Sequence, residues 1–217
     1  MLEEGLERVR REPTVLTVAG RTDTGVHARG QVASHPGEPA LARSINGVLP
    51  GDVRVLASER AADDFDARRD ALSRLYRYRV HAREVASPFE RGRALHWPHR
   101  LDRVLLDECA ALLPGTHDFT AFTPTETYHT HFHRHVMRSE WLAEPGDVVA
   151  LWIEADAFMR SMVRTLVGSM LAVASGRRSL AWFAELLEGR PRAEAGDTAA
   201  AHGLYLEAVT YPQPERP

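Results

Sequence analysis

The residue best suited to take part in a chemical reaction is Asp23, which lies in a short polar loop. A β-branched run at 14–18 ends at Gly20, and Gly25 closes the loop before an extended segment resumes. A strand, a glycine-bounded loop and a second strand would hold the carboxylate rigidly at the end of a sheet. A carboxylate held in this way can act as a nucleophile. The same residue types also form ordinary turns, in which aspartate only caps backbone N–H groups.

A second group of residues that could do chemistry lies in segment 129–135, which carries four of the 11 histidines. In an extended chain all four imidazoles would project from one face and could bind a transition metal. Zinc sites, however, usually draw ligands from separated segments or from short-loop and helical spacings. We therefore favour a solvated strand face or a basic RNA-facing loop. A metal-binding module or metallohydrolase remains the alternative.

Tyr76 lies in an alternating, aromatic-rich segment at 75–81, which predicts a strand. Alternation places Tyr76, Tyr78 and Val80 on one face of that strand. The commonest role of a strand tyrosine is packing, in which the ring is half-buried. The residue types alone therefore leave the role of Tyr76 open.

Arg164 lies at the margin of a long apolar stripe. Apolar residues at 159–174 recur with i, i+3 and i+4 spacing, which predicts a helix that ends at Gly176. Gly168 lies one turn beyond Arg164 and would let another segment approach beside it. An arginine at such a margin is commonly a surface residue whose stem covers apolar neighbours.

The elements that must position these residues follow from periodicity and turn residues. Helices are expected at 1–11, 41–47, 101–113, 159–174 and 182–187. Strands are expected at 14–19, 30–35, 53–57, 75–81, 136–143 and 148–155.

Composition is that of an ordinary globular protein with a sizeable core. The 217 residues are 44% hydrophobic and 26% charged, with a formal net charge of −3. That charge argues mildly against a nucleic-acid partner, although a local arginine-rich face would suit phosphate recognition. The single Cys109 excludes an intrachain disulfide framework. Because no apolar run reaches membrane-spanning length and no signal peptide is evident, we expect a cytoplasmic protein without a membrane partner.

Two motifs resemble signatures of the tRNA pseudouridine synthase A family. Residues 20–28, Gly-Arg-Thr-Asp-Thr-Gly-Val-His-Ala, resemble the family loop that carries a catalytic aspartate. Residues 157–168 resemble the family pattern Ala-Phe-x-x-x-Met-Val-Arg-x-x-Val-Gly. The first tyrosine of Tyr76-Arg77-Tyr78 matches an active-site tyrosine. The resemblance runs through nearly all of residues 1–211.

The resemblance implies an isomerase that converts uridine to pseudouridine at positions 38 to 40 of the tRNA anticodon stem-loop, and a homodimer. That reaction breaks the N1–C1′ bond and forms a C5–C1′ bond, and it requires no metal or other cofactor. Asp23 and Arg164 would be catalytic, and Tyr76 would stack on the target uracil. Arg21 would hold a phosphate or occupy the position vacated by the base. Whether Asp23 attacks the ribose, attacks the base or removes a proton stays open.

The resemblance also implies the α+β fold of pseudouridine synthases. Two α/β subdomains are expected, whose antiparallel or mixed sheets join into one large sheet flanked by helices. The expected boundaries are 1–69, with the Asp23 loop, and 70–211, followed by a disordered tail at 212–217. Family members carry a further strand upstream, so we expect an incomplete N-terminal subdomain. An RNA-binding protein that has lost catalysis is therefore a further alternative.

Overall fold

The computed structural model describes residues 1–127 and 129–212 of the chain. It contains two compact units, of which unit 1 comprises Met1–Arg21 and Val32–Ala71 and unit 2 comprises Thr22–Gln31 and the chain from Leu72 onward. Residues 213–217 of the expected tail lie outside the described residues. In the described residues, no helix has both the length and the apolar character needed to cross a bilayer.

Helices and strands are interspersed along the chain. The helices are α1 (Leu2–Arg10), α2 (Ala42–Asn46), α3 (Arg103–Ala111), α4 (Met162–Ala174) and α5 (Leu180–Leu186). The strands are β1 (Thr17–Val18), β2 (His27–Ala28), β3 (Ala33–Ser34), β4 (Ser73–His81), β5 (Leu95–His96), β6 (Gly115–Asp118), β7 (His133–Glu144), β8 (Val148–Ala155) and β9 (Leu204–Thr210).

Unit 1 contains α1, α2 and an antiparallel ladder between β1 and β3. Its small core is formed by Leu6, Ile45 and Leu49. β1 and β3 are much shorter than the strands expected at 14–19 and 30–35. The strongest sequence pattern in this unit is the apolar spacing of α1, and the structure confirms that helix.

The strand predicted at 53–57 is wrong, and Asn46 explains why the segment is nevertheless ordered. The Asn46 side chain donates to the Val55 carbonyl and accepts from the Val55 N–H, both at 2.8 Å. A single carboxamide thus satisfies the two backbone groups that a neighbouring strand would otherwise satisfy. Alternating apolar residues therefore do not require a strand here.

Unit 2 contains a mixed seven-stranded sheet that carries most of the core. The strand order is β2-β9-β4-β8-β7-β6, and β5 pairs with β4. β2 runs parallel to β9. The pairs β9–β4, β4–β8 and β8–β7 are antiparallel. α3 and α4 pack against this sheet and against each other. A large mixed sheet flanked by helices confirms the predicted fold class.

The central strand β4 follows the predicted alternation. Tyr76, Tyr78 and Val80 are buried, while Arg77 and Arg79 are less buried on the opposite face. α4 begins three residues later than the apolar stripe predicted, and most of its side chains are buried. Gly176 follows it with a φ of +78°, the left-handed conformation expected of a residue that ends a helix.

The histidine-rich segment lies only partly in a strand. His133 and His135 lie on β7, whereas His129 and His131 precede it, so the four histidines do not lie on one strand.

The loop that carries Asp23 belongs to unit 2, because Thr22–Gln31 is part of that unit. The expected boundary at residues 69 and 70 instead assigned this loop to the N-terminal subdomain.

Replacing Asn46 with alanine tests its role in unit 1. We expect the free energy of unfolding to fall by about 2 kcal/mol, since two hydrogen bonds of about 1 kcal/mol each are lost. Urea denaturation measures that change, and hydrogen exchange should show reduced protection of the Val55 amide. In the matched variant Asn46→Asp, the Val55 amide keeps its acceptor while the donor to the Val55 carbonyl is lost. Equal protection of Val55 in wild type and Asn46→Ala would contradict this account.

Candidate active site

Asp23 opens a tight turn immediately before β2. The Val26 N–H donates to the Asp23 carbonyl oxygen at 3.0 Å, which closes the turn. Gly25, the third residue of the turn, has a φ of +84°, a conformation that favours glycine. The turn is anchored by β2, where His27 pairs with Tyr205 of β9. The sequence thus holds the Asp23 carboxylate at the end of a strand, as predicted.

Arg164 lies in the first turn of α4 and contacts Asp23 directly. Its Nη1 donates to Asp23 Oδ2 at 2.8 Å, forming an ion pair between residues 141 positions apart. The Arg164 side chain is 18% exposed and the Asp23 side chain 38%. A charge-assisted hydrogen bond of this kind fixes the orientation of the carboxylate while leaving part of it open to a ligand.

The backbone of Ala199 holds the Arg164 side chain in place. Arg164 Nε donates to the Ala199 carbonyl oxygen at 2.8 Å, and the Ala199 N–H donates to the Arg164 carbonyl oxygen at 3.1 Å. The guanidinium therefore has one edge on protein backbone and another nitrogen on Asp23. This restraint limits the rotamers that Arg164 can adopt.

Gly168 permits the approach of the segment that carries Ala199. A Cβ at Gly168 would overlap the Asp197 carbonyl oxygen, so any larger residue forces the two segments apart. Ser169, the next residue of the same helix, accepts a hydrogen bond at its Oγ from the Gly196 N–H at 3.0 Å. The sequence analysis anticipated a close neighbour at Gly168, and the structure confirms it.

Tyr78 supports the same segment from the sheet. Its hydroxyl donates to the Ala200 carbonyl oxygen at 2.7 Å, and its ring lies where a Cβ at Gly203 would be, with Cζ at 2.7 Å. Burial raises the pKa of Tyr78, and Arg164 opposes this rise. Tyr78 thus remains a hydrogen-bond donor and helps to position the backbone beside Arg164.

Tyr76 is buried beside the ion pair. Its side chain is 7% exposed, and its ring makes an edge contact with Phe158 at 5.1 Å between centroids. Burial raises the pKa of Tyr76 to about 12, while Arg74 lowers it and Asp23 raises it. The charge of Asp23 thus lies near enough to the phenol to oppose its ionisation. The structure brings Asp23 and Arg164 into direct contact, with Tyr76 in their neighbourhood.

The fourth predicted residue, Arg21, is exposed and belongs to unit 1, whereas Asp23, Tyr76 and Arg164 all belong to unit 2. The histidine-rich segment contributes no metal centre in the described part of the chain, since no group of three or more His, Cys, Asp or Glu residues there is arranged to hold an ion. The metal-binding alternative therefore gains no support from the fold.

Sequence reasoning missed the contribution of Ala199 to the site. Its interaction with Arg164 uses only backbone atoms, which every residue possesses, so the residue type carries no signal. The one indirect signal was Gly168, because a glycine on the margin of an apolar helix is consistent with close backbone approach. The partly exposed carboxylate–guanidinium pair, with an aromatic ring nearby, can place a negative charge against a planar ligand.

Comparison with known proteins gives a family match and several similar relatives. Residues 109–212 match the family described as tRNA pseudouridine synthase. The tRNA pseudouridine synthase A of Frankia casuarinae is 46% identical over 219 residues, covering 97% of this chain and 79% of the relative. That of Myxococcus xanthus is 40% identical over 218 residues, covering 97% of this chain and 82% of the relative. That of a Roseiflexus species is 41% identical over 222 residues, covering 98% and 81%.

The fold and these matches define the class of the protein, which is a pseudouridine synthase with a mixed central sheet. The chain belongs to the tRNA pseudouridine synthase A family, as its two signature motifs predicted.

Replacing Gly168 with alanine tests the close packing beside Arg164. Alanine favours a helix by about 1 kcal/mol, yet we expect the free energy of unfolding to fall by about 1–3 kcal/mol because the new Cβ overlaps the Asp197 carbonyl. Chemical denaturation measures the change. Gly51→Ala is the matched control, since no heavy atom of the described residues lies within 4 Å of a Cβ added there. A stabilised Gly168→Ala variant would refute the packing argument.

The raised pKa of Tyr76 predicts a loss of stability in alkali. The ordinary value is 10.0 and the folded value is about 12, so above pH 10 the unfolded chain releases this proton more readily than the folded chain. Stability should therefore fall as pH rises from 10 towards 12. Denaturation across that range should show a shallower fall for Tyr76→Phe than for wild type. Parallel slopes for the two proteins would contradict the shift.

Proposed function

We propose that this chain isomerises uridine to pseudouridine in tRNA. The observation that carries the proposal is the 2.8 Å contact between Asp23 and Arg164. Each residue lies in one of the two motifs that resemble family signatures, and the fold brings them together within unit 2. The relatives at 40–46% identity are named tRNA pseudouridine synthase A, which supports the same substrate and the same isomerase chemistry.

Asp23 is proposed as the catalytic carboxylate. Arg164 binds its Oδ2, and no hydrogen bond to Oδ1 is made within the described part of the chain. Oδ1 is thus the atom we assign to the substrate, as a nucleophile or a base. The isomerisation breaks the N1–C1′ bond of uridine, turns the base and joins C5 to C1′. Arg164 keeps the carboxylate oriented through these steps because Ala199 holds its Nε.

Tyr76 is proposed to receive the target base. Its pKa of about 12 keeps the phenol neutral across the physiological range, so its ring can stack on uracil without adding a second negative charge beside Asp23. Moving a base out of its stack costs a few kcal/mol. Stacking on an aromatic ring returns about 1–3 kcal/mol per base.

The finer features of the function rest on the resemblance. We propose that the target uridines lie at positions 38 to 40 of the anticodon stem-loop, that the active form is a homodimer, and that the protein acts in the cytoplasm. Arg21 is proposed to hold a phosphate or to occupy the position that the flipped base vacates, since guanidinium groups suit planar, multidentate phosphate contacts.

Substitution of Asp23 and Arg164 tests the proposed function. Release of tritium from tRNA labelled at C5 of uridine should be lost in Asp23→Ala and in Asp23→Asn, because neither variant has a carboxylate. Arg164→Lys keeps the charge but replaces the planar group, so we expect turnover to fall about 10- to 150-fold, as for the loss of a hydrogen bond to a charged group.

Matched controls come from the α3 surface pair, in which Arg103 and Asp107 lie 3.9 Å apart. Asp107→Ala and Arg103→Lys should turn over tRNA like wild type. Equal turnover by Asp23→Ala and wild type would overturn the role of Asp23. Tight tRNA binding by wild type without any tritium release would instead select an RNA-binding protein that has lost catalysis.

A further inference from the structure

A phenylalanine stands almost fully exposed on a loop of unit 2. Phe89 lies in the 3₁₀ turn Pro88–Glu90 and is 83% exposed, and it is the one aromatic residue among the exposed large hydrophobic residues of the described chain. An exposed aromatic ring loses the free energy that burial would supply. Single exposed apolar residues are common, so Phe89 requires further observations before it indicates a binding site.

The loop around Phe89 is held in one conformation by its own hydrogen bonds. Ser87 Oγ accepts from the Phe89 N–H at 3.3 Å, and the Ser87 carbonyl accepts from the Glu90 N–H at 3.2 Å. The Glu90 carboxylate accepts from Arg79 Nη1 of β4 at 2.7 Å. Phe89 is thus presented to solvent by an anchored loop, which lowers the entropy cost of binding a ligand.

The same loop is connected to the segment that carries Asp23. His27 Nε2 is 2.8 Å from the Gly92 carbonyl oxygen, and the Tyr205 hydroxyl donates to the Arg93 carbonyl oxygen at 2.9 Å. The rings of His27 and Tyr205 stack at 4.5 Å between centroids. His27 follows Asp23 by four residues, so one continuous set of contacts fixes the Phe89 loop relative to the turn that holds the carboxylate.

The charges near Phe89 match a nucleic-acid backbone. Arg91 and Arg93 are exposed, and no ion pair involving either guanidinium is found in the residues that the structure describes. The one carboxylate of the loop's 3₁₀ turn, Glu90, is neutralised by Arg79. An exposed aromatic ring beside two cations that lack ion-pair partners is the combination that proteins use to bind single-stranded nucleic acid.

We propose that Phe89 is a stacking platform for an unpaired base of the tRNA substrate other than the target uridine, with Arg91 and Arg93 binding the adjacent phosphates. This inference rests on the proposed function, because it requires tRNA as the ligand. Phe89 is not one of the residues proposed to contact the target uridine. The platform would hold the RNA while the target base occupies the site of Asp23 and Tyr76.

Binding of unlabelled tRNA to full-length protein variants tests the stacking. Phe89→Ala should raise the dissociation constant about 5- to 150-fold, which is the equivalent of one base–aromatic stack. Phe89→Leu should raise it by a similar factor, because leucine is apolar but has no π face. Phe89→Trp should bind like wild type, and its fluorescence should be quenched by tRNA. The control Val104→Ala removes an apolar side chain that is 64% exposed on α3 and should not change binding.

Salt dependence tests the two arginines separately. Each phosphate contact removed should reduce the slope of log affinity against log salt by about 0.7–1. Arg91→Gln and Arg93→Gln should each show that change, whereas Arg190→Gln, which removes an exposed pair with Glu185, should keep the wild-type slope.

The outcomes separate this inference from the proposed function. If wild type neither binds nor modifies tRNA, the proposed function fails and this inference fails with it. If wild type modifies tRNA and Phe89→Ala binds it equally well, only the stacking platform is overturned. If Phe89→Ala changes the sedimentation mass of the free protein, the residue belongs to a contact between copies, and the platform is overturned in that case too.

Discussion

The ion pair between Asp23 and Arg164 is the interaction on which the rest of the site depends. It joins a turn before β2 to the first turn of α4 across 141 residues of sequence. Both side chains retain solvent contact, so the pair adds little to global stability. Its value lies in geometry, because a guanidinium fixed by a second hydrogen bond can hold a carboxylate in one orientation.

That geometry is set by backbone as much as by side chains. Arg164 is fixed by the carbonyl of Ala199, whose segment reaches α4 only because Gly168 has no Cβ. Tyr78 fixes the neighbouring carbonyl of Ala200 from the sheet side. Two different elements, α4 and β4, thus converge on one short stretch of backbone. A displacement of that backbone by a few tenths of an ångström would also displace the Asp23 carboxylate.

Much of this arrangement was predictable, and the reasons for the failures are specific. The Asp23 loop, the α4 stripe and the alternation of β4 are local patterns that the fold retains. The strand expected at 53–57 failed because the Asn46 side chain replaced a strand partner. The four histidines of 129–135 do not lie on one strand, because His129 and His131 precede β7. The Ala199 contact was beyond sequence reasoning, since a carbonyl oxygen leaves no mark on residue type.

The strand order of unit 2 has a consequence for the order of events during translation. β9 lies between β2 and β4, so the strand that anchors the turn of Asp23 reaches the sheet only through residues 204–210. A ribosome that has made α4 but not β9 holds a nascent chain whose two charged partners have no common scaffold. Pairing between segments so distant in sequence is slow, since the loop must close before contacts form. The ion pair between Asp23 and Arg164 therefore acquires its scaffold only after β9 has been made.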